Sequence, residues 1–311
     1  MGVPRHSLTG TTDRAGSGVG DIAVVWALYL VFGVFTVVTY TRLPAGGTYN
    51  FDATGLADGG LSRLISYLNY PVALAALAVI AVVSDREHGW RNRVAVIAAV
   101  LCAVAAVPGV VSQSDLAASW ANAPAAVGVG IALALTVAGV RQAGATAPRG
   151  APTGADRLRV AIAVILIVWS IPWMVASLGF YASDIPGIGG LWRARQPTPG
   201  HVSLPSVHRG LHEGLFGAQL AITALILSRR LRTMASGRLR AVLAVFLAVM
   251  LCYGVMVTAQ DGWNEQVVKR GWTSVGIPSV LTPAASLAWA GVIVAAVCIH
   301  LVWFREEYRA P

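Results

Sequence analysis

Residues 241–259 read AVLAVFLAVMLCYGVMVTA, a stretch without one charged side chain, entered through Arg238 and Arg240 and left through Asp261. A helix rises ~1.5 Å per residue, so ~20 such positions cross the ~30 Å hydrocarbon core of a bilayer. Seven further runs approach that length, at 22–40, 64–84, 94–111, 122–140, 160–181, 211–228 and 283–303. Over 311 residues the chain is 56% apolar and 12% charged, with mean hydropathy +0.66. Those values exclude an ordinary soluble domain. The sequence predicts an all-α polytopic membrane protein of eight transmembrane helices.

Basic residues flanking short loops resist translocation and stay cytoplasmic. With the N-terminus inside, 16 of the 23 Lys and Arg fall on the cytoplasmic side, among them Arg86, Arg91, Arg93 and the run Arg229, Arg230, Arg232, Arg238, Arg240. Both termini are therefore expected in the cytoplasm. The formal charge of +9 reads as topology and as contact with anionic lipid headgroups, not as nucleic-acid binding, because no basic domain lies outside the spans. Arg outnumbers Lys 22 to 1 in an Ala-, Gly- and Val-rich chain, which points to a bacterial gene and a multi-pass protein of the plasma (inner) membrane. The first run has the length of a full span and no small-residue cleavage site before a soluble domain, so it is expected to be an uncleaved anchor. Cys102, Cys252 and Cys298 fall inside spans as small hydrophobic residues, without CxxC spacing or a disulfide framework.

The expected organisation is a cytoplasmic tail at 1–21, a first four-helix half at 22–140, a linker at 141–159, a second half at 160–303 and a tail at 304–311. The linker, rich in Gly, Ala, Pro and Thr, cannot bury a core. Four spans per half keep the same orientation, so a duplication would be a parallel repeat about the membrane normal. Long outer loops at 41–63 and 182–207 carry Tyr49, Phe51 and Trp192 among glycines and are expected to pack over the outer mouth.

Chemistry concentrates at the head of the sixth span, where three of the six histidines, His201, His208 and His212, sit in GHVSLPSVHRGLHEG. Pro205 suits a first helical turn, and His208 and His212 are then i, i+4 neighbours on one face, able to reach one metal ion. Gln219 falls near the same stripe. Spans six and seven share a short inner loop and are expected to form an antiparallel hairpin, whose outer ends meet. That would bring the histidines toward Asp261 and Glu265, also spaced i, i+4. Two or three imidazoles plus one carboxylate make an open three-ligand set of the kind that binds catalytic zinc. His208, His212, His201 and Asp261 are the candidate ligands, and Glu265 or Glu213 the candidate base. Arg209–Glu213 and Glu265–Lys269 also have the spacing of ordinary helix-surface ion pairs.

The HxxxH pair at the mouth of a helix resembles the membrane hydrolases related to alkaline ceramidases, over His208 and His212 alone. The eight-helix layout with long first and third outer loops, together with His208-Arg209, resembles haem A synthase. Where that family would place further ligands, spans two, four and eight carry Asn69, Asn122 and Thr282 instead of His. Neither family's function is carried over.

The leading expectation is a metal-dependent hydrolase or transferase acting at the outer leaflet on a small or lipid-linked substrate, in contact with membrane lipids. The alternatives are a scaffold or assembly subunit using small-residue faces such as GVGIALALTVAG, and a transporter. Transporters meet their substrate near the midplane, where no span here carries an ionisable group.

Overall fold

A computed structural model of the chain describes residues 19–42, 55–111, 118–141, 153–177, 186, 213–268 and 271–305. Among these residues there are eight helices and no strand. They are α1 (Val19–Arg42), α2 (Gly55–Ser84), α3 (Trp90–Ala103), α4 (Ala123–Arg141), α5 (Gly154–Ser177), α6 (Glu213–Ser228), α7 (Gly237–Trp263) and α8 (Leu287–Ile299). Five of them, α1, α2, α4, α7 and α8, are long and apolar enough to cross a membrane, counting the turns that prolong α4 and α8.

Several boundaries differ from the sequence expectation, each for a local reason. α2 begins at Gly55, inside what reads as a loop, because GLADGGL winds as a π-type turn and lies along α1. Gly59 and Gly60 are buried there, and a Cβ on Gly60 would strike Thr41 and the Val37 carbonyl. A second π-type turn at Leu68–Val72 carries Pro71, whose ring cannot donate; the ladder widens around it and the Ala73 N–H reaches back to the Leu68 carbonyl. α3 was expected to run to Val111, but ends in a 3-10 turn at Val104–Ala106. Pro108 drives Val107 into extended backbone (φ −80°, ψ 117°) and Gly109 takes φ +80°. α8 starts at Leu287 rather than Pro283, where the Ser286 hydroxyl accepts the Trp289 N–H.

α6 is the axis of the bundle. Every residue in it but Glu213 and Ile226 is buried, and it contacts α1, α2, α5 and α7. α2 packs against α1, α3 and α4 in the first half, and α3 pairs with α4. At the α3–α4 contact, Gly128 lets the helices close until a Cβ there would lie 2.8 Å from the Cys102 sulfur and 2.9 Å from the Ala98 carbonyl. α8 packs on α7 and turns Leu287, Val294 and Val302 outward. Cys102 is buried, whereas Cys298 lies on the exposed side of α8. Trp90 and Trp120 are exposed at helix ends, as rings at a membrane–water boundary would be.

Polar side chains link the helices inside this apolar frame. The Tyr29 and Thr223 hydroxyls bond at 3.2 Å, and Gln219 Nε2 donates to the Tyr67 hydroxyl at 3.0 Å. Trp26 donates its indole N–H to Thr136 at 3.1 Å, linking α1 to α4. At the arginine-rich end, Asp156 of α5 accepts from Arg232 at 2.6 Å and from Arg159 at 3.3 Å, and Arg229 bridges it to Asp21 of α1 at 3.5 and 3.7 Å. The Arg159 guanidinium stacks 4.8 Å from the Trp303 ring centroid, which draws the end of α8 into the same knot. Nearby, Asp85 accepts the backbone N–H groups of Ala235 and Ser236 at 2.6 and 2.9 Å, so the turn after α2 grips the turn before α7.

Candidate functional site

Helices α6 and α7 do form an antiparallel hairpin, and its crossing is set by glycine. Gly217 of α6 and Gly254 of α7 lie backbone to backbone: a Cβ on Gly217 would stand 2.5 Å from the Gly254 carbonyl oxygen. Such an approach is available only to residues without a side chain. One turn further along, Thr258 Oγ1 is 2.9 Å from the carbonyls of both Gly214 and Gly254. Another turn brings Asp261, whose Oδ2 accepts the Gly214 N–H at 3.2 Å. A Cβ on Gly214 would lie 2.6 Å from that carboxylate oxygen, so glycine is what admits it.

Asp261 is thus buried against Gly214, whose backbone N–H its carboxylate accepts. Glu213, the first residue of α6, is half-buried and lies within electrostatic reach of the Tyr70 and Tyr253 hydroxyls. Those two hydroxyls bond each other, and Tyr253 donates to the Leu281 carbonyl at 2.9 Å while stacking on Trp289 at 5.3 Å. Phe216 packs against Tyr67 and Tyr70, with centroids 5.5 and 6.0 Å apart, and completes an aromatic floor. Arg63 is buried over that floor, 5.4 Å from the Tyr40 centroid and 5.8 Å from that of Phe216.

Of the residues singled out from sequence, Asp261 and Glu213 are therefore placed at the same end of the same hairpin. Glu265 belongs to the π-type turn Asn264–Val268 that prolongs α7, but its side chain lies outside the described residues, as do His201, His208 and His212. Among the described residues no three His, Cys, Asp or Glu side chains gather. Gln219, read on the HxxxH stripe, points inward to Tyr67. The loop after α7 is held at this end too: Asn264 pairs with the Ile277 N–H and carbonyl at 3.0 and 3.1 Å, and the Trp263 indole donates to the Val275 carbonyl at 2.8 Å. Trp263 thereby ties this loop to the end of α7.

Sequence reading missed Arg63, Tyr67, Tyr70 and Tyr253. The signal was there in part, since Arg63, Tyr67 and Tyr70 follow i, i+4, i+7 spacing and share one face of α2. A groove of about 490 Å³ was equally invisible. It runs between Ile165, Leu166 and Trp169 of α5 and Val255, Ala259 and Gly262 of α7, and is apolar along its length. Thr258, which lines it, also bonds the Gly214 carbonyl, and the lining continues to Trp263, Val267 and Ile277. Asp261, Glu213, Arg63 and the buried tyrosines thus gather polar groups at one end of the bundle, and the groove shares Thr258 with that end. No family model, curated protein or solved structure matches this chain.

Proposed function

We propose that this is an eight-span protein of a bacterial plasma membrane, termini cytoplasmic, whose outward end carries a zinc-dependent site acting as a hydrolase or transferase on a lipid-linked substrate of the outer leaflet. Support for α6 as a crossing comes from packing, since it lies against α1, α2 and α7, three helices long and apolar enough to cross a membrane. The orientation rests on the excess of Arg at the end that holds Arg86, Arg229, Arg230 and Arg232.

The observation that carries the functional reading is the bond between Asp261 and the Gly214 N–H. His212 is two residues before Gly214, and two Cα–Cα steps of ~3.8 Å hold it within about 7.6 Å of that glycine. Chain length therefore allows the His212 imidazole to reach the Asp261 carboxylate, which is what this reading requires. In this reading His208, His212 and Asp261 hold the metal, with His201 as a further imidazole. Zinc bound there would supply Lewis acidity, and Glu265 or Glu213 would serve as the base for a water. The apolar groove beside Thr258 accommodates the lipid portion of the substrate, leaving its polar head at Asp261.

Metal analysis of detergent-purified protein tests this. Stoichiometric zinc is expected in the natural chain and none in the His208→Ala/His212→Ala double variant; metal-free, well-folded natural protein overturns the reading. Asp261→Asn separates the two uses of that side chain. The amide oxygen still accepts from Gly214, so thermal stability should stay within about 1 kcal/mol of the natural value, while zinc occupancy falls. Full zinc occupancy in Asp261→Asn removes Asp261 from the ligand set.

A further inference from the structure

At the opposite end of the bundle lies a second polar feature that the proposed chemistry does not use. Arg230, in the 3-10 turn Arg229–Thr233 that follows α6, is only 4% exposed. Its neighbours Arg229 and Arg232 are engaged with Asp21 and Asp156, but the Arg230 side chain makes no hydrogen bond or ion pair among the described residues. Nε and Nη1 are sealed from solvent without a partner, which leaves Nη2 as the edge that reaches the surface. A buried guanidinium with no acceptor is costly, since each unmade bond to a charged donor forfeits its hydration.

The charge around Arg230 is unbalanced in the same direction. Arg86 stands close enough to repel it, and donates to the Thr233 carbonyl at 3.3 Å. Asp85 is the nearby carboxylate, and both its oxygens are taken by the Ala235 and Ser236 N–H groups. Burial first, and then the Arg86 charge, pull the Arg230 guanidinium below its ordinary value, against the opposing pull of Asp85. Two guanidiniums thus flank one carboxylate whose lone pairs are already in use, at a helix end where the chain meets the headgroup region.

We propose that Arg230 and Arg86 form a binding site for a phosphate group, taken from an anionic phospholipid headgroup or from a soluble phosphate. A phosphate oxygen would accept from Arg230 Nη2, with Arg86 closing on the same anion from the rim. The fork of a guanidinium suits this geometry, and a phosphate supplies the negative charge that the pocket lacks. The site is independent of the metal chemistry at the Asp261 end.

The test is thermal unfolding of the full chain in neutral detergent, followed by tryptophan fluorescence. Three additives are titrated: phosphatidylglycerol, inorganic phosphate, and a diacyl glucoside lacking phosphate. The midpoint should rise with phosphatidylglycerol and not with the glucoside. A matching rise with inorganic phosphate identifies a soluble anion as the source, whereas a rise with the lipid alone identifies the headgroup. Arg230→Gln should raise the half-saturating concentration about tenfold or more, Arg230→Lys by less, and Arg238→Gln, an exposed arginine at the start of α7, not at all. If Arg230→Gln fails to fold, Arg86→Gln, whose side chain is exposed, carries the same readout. Equal responses to the glucoside and the phospholipid, no midpoint shift with either phosphate, or an unchanged titration in the variants overturns the proposal.

Discussion

Gly254→Ala is expected to lower stability by about 3 kcal/mol, the upper part of the range for inserting a methyl group into a packed interior. On an open helix the same substitution would help, because alanine exceeds glycine in helix propensity by about 1 kcal/mol. At this crossing the steric effect wins. The new methyl would press on the Gly217 carbonyl and stand 2.8 Å from the Ala221 backbone nitrogen, neither of which can rotate away as a side chain could. α6 and α7 would have to separate, and with them the Thr258 and Asp261 bonds to Gly214. Gly130→Ala is the matched control, since a Cβ there meets nothing within 4 Å. Equal thermal midpoints for the two variants would show that the hairpin does not depend on backbone contact.

Asp156→Ala is expected to cost roughly 3 kcal/mol, the lower end of what breaking a buried ion pair incurs. Arg159 and Asp156 are 1% and 3% exposed, so removing the carboxylate takes a buried ion pair from the cation and leaves its stacking on Trp303. Arg229 and Arg232, 14% and 28% exposed, recover some hydration, which keeps the figure from the top of the range. The same knot gives a pH dependence. Burial alone would raise the Asp156 carboxyl, but the Thr153 N–H, Arg232 and Arg229 outweigh it and hold it below its ordinary value. A carboxylate depressed in the folded state contributes stability that is complete above its unfolded pKa, ~3.9, and is lost as pH falls through the lower folded value. Acid unfolding followed from pH 6 to 2 should therefore show a stability loss in the natural chain below about pH 4 that is absent in Asp156→Ala. Identical acid profiles would remove Asp156 from that role.

The helices were legible because hydropathy is a property of long runs. The stretch at 241–259 lies wholly within α7, and the run at 122–140 nearly coincides with the 3-10 turn at Trp120 and α4. What misled was local chemistry read as loop or as span. Gly59 and Gly60 signal a turn by propensity, yet here they are small residues that let α2 lie on α1, and tertiary contact overrides propensity. Pro108 sits in an apolar run, and the backbone restriction it imposes, invisible to hydropathy, ends α3 early.

At the site, the pairing of α6 with α7 and the nearness of Asp261 to Gly214 followed from the short connection between the two helices. The partners of the buried tyrosines did not, because Tyr29–Thr223 and Tyr70–Tyr253 join residues nearly two hundred positions apart, and no local pattern encodes such a pair. The arginines near 230 read as topology signals from their count alone. Which of them are neutralised by Asp21 and Asp156, and which is left over, depends on the meeting of α1, α5 and the turn after α6.

The enclosure of α6 bears on the order in which the protein can be made. Ribosomes deliver α1 to α5 first, and at that moment the phenol of Tyr29 lacks Thr223 and that of Tyr67 lacks Gln219, since both mates belong to a segment not yet synthesised. The earlier helices thus present hydroxyls whose mates arrive only with α6, and α7, made next, packs along α6 once it is in place.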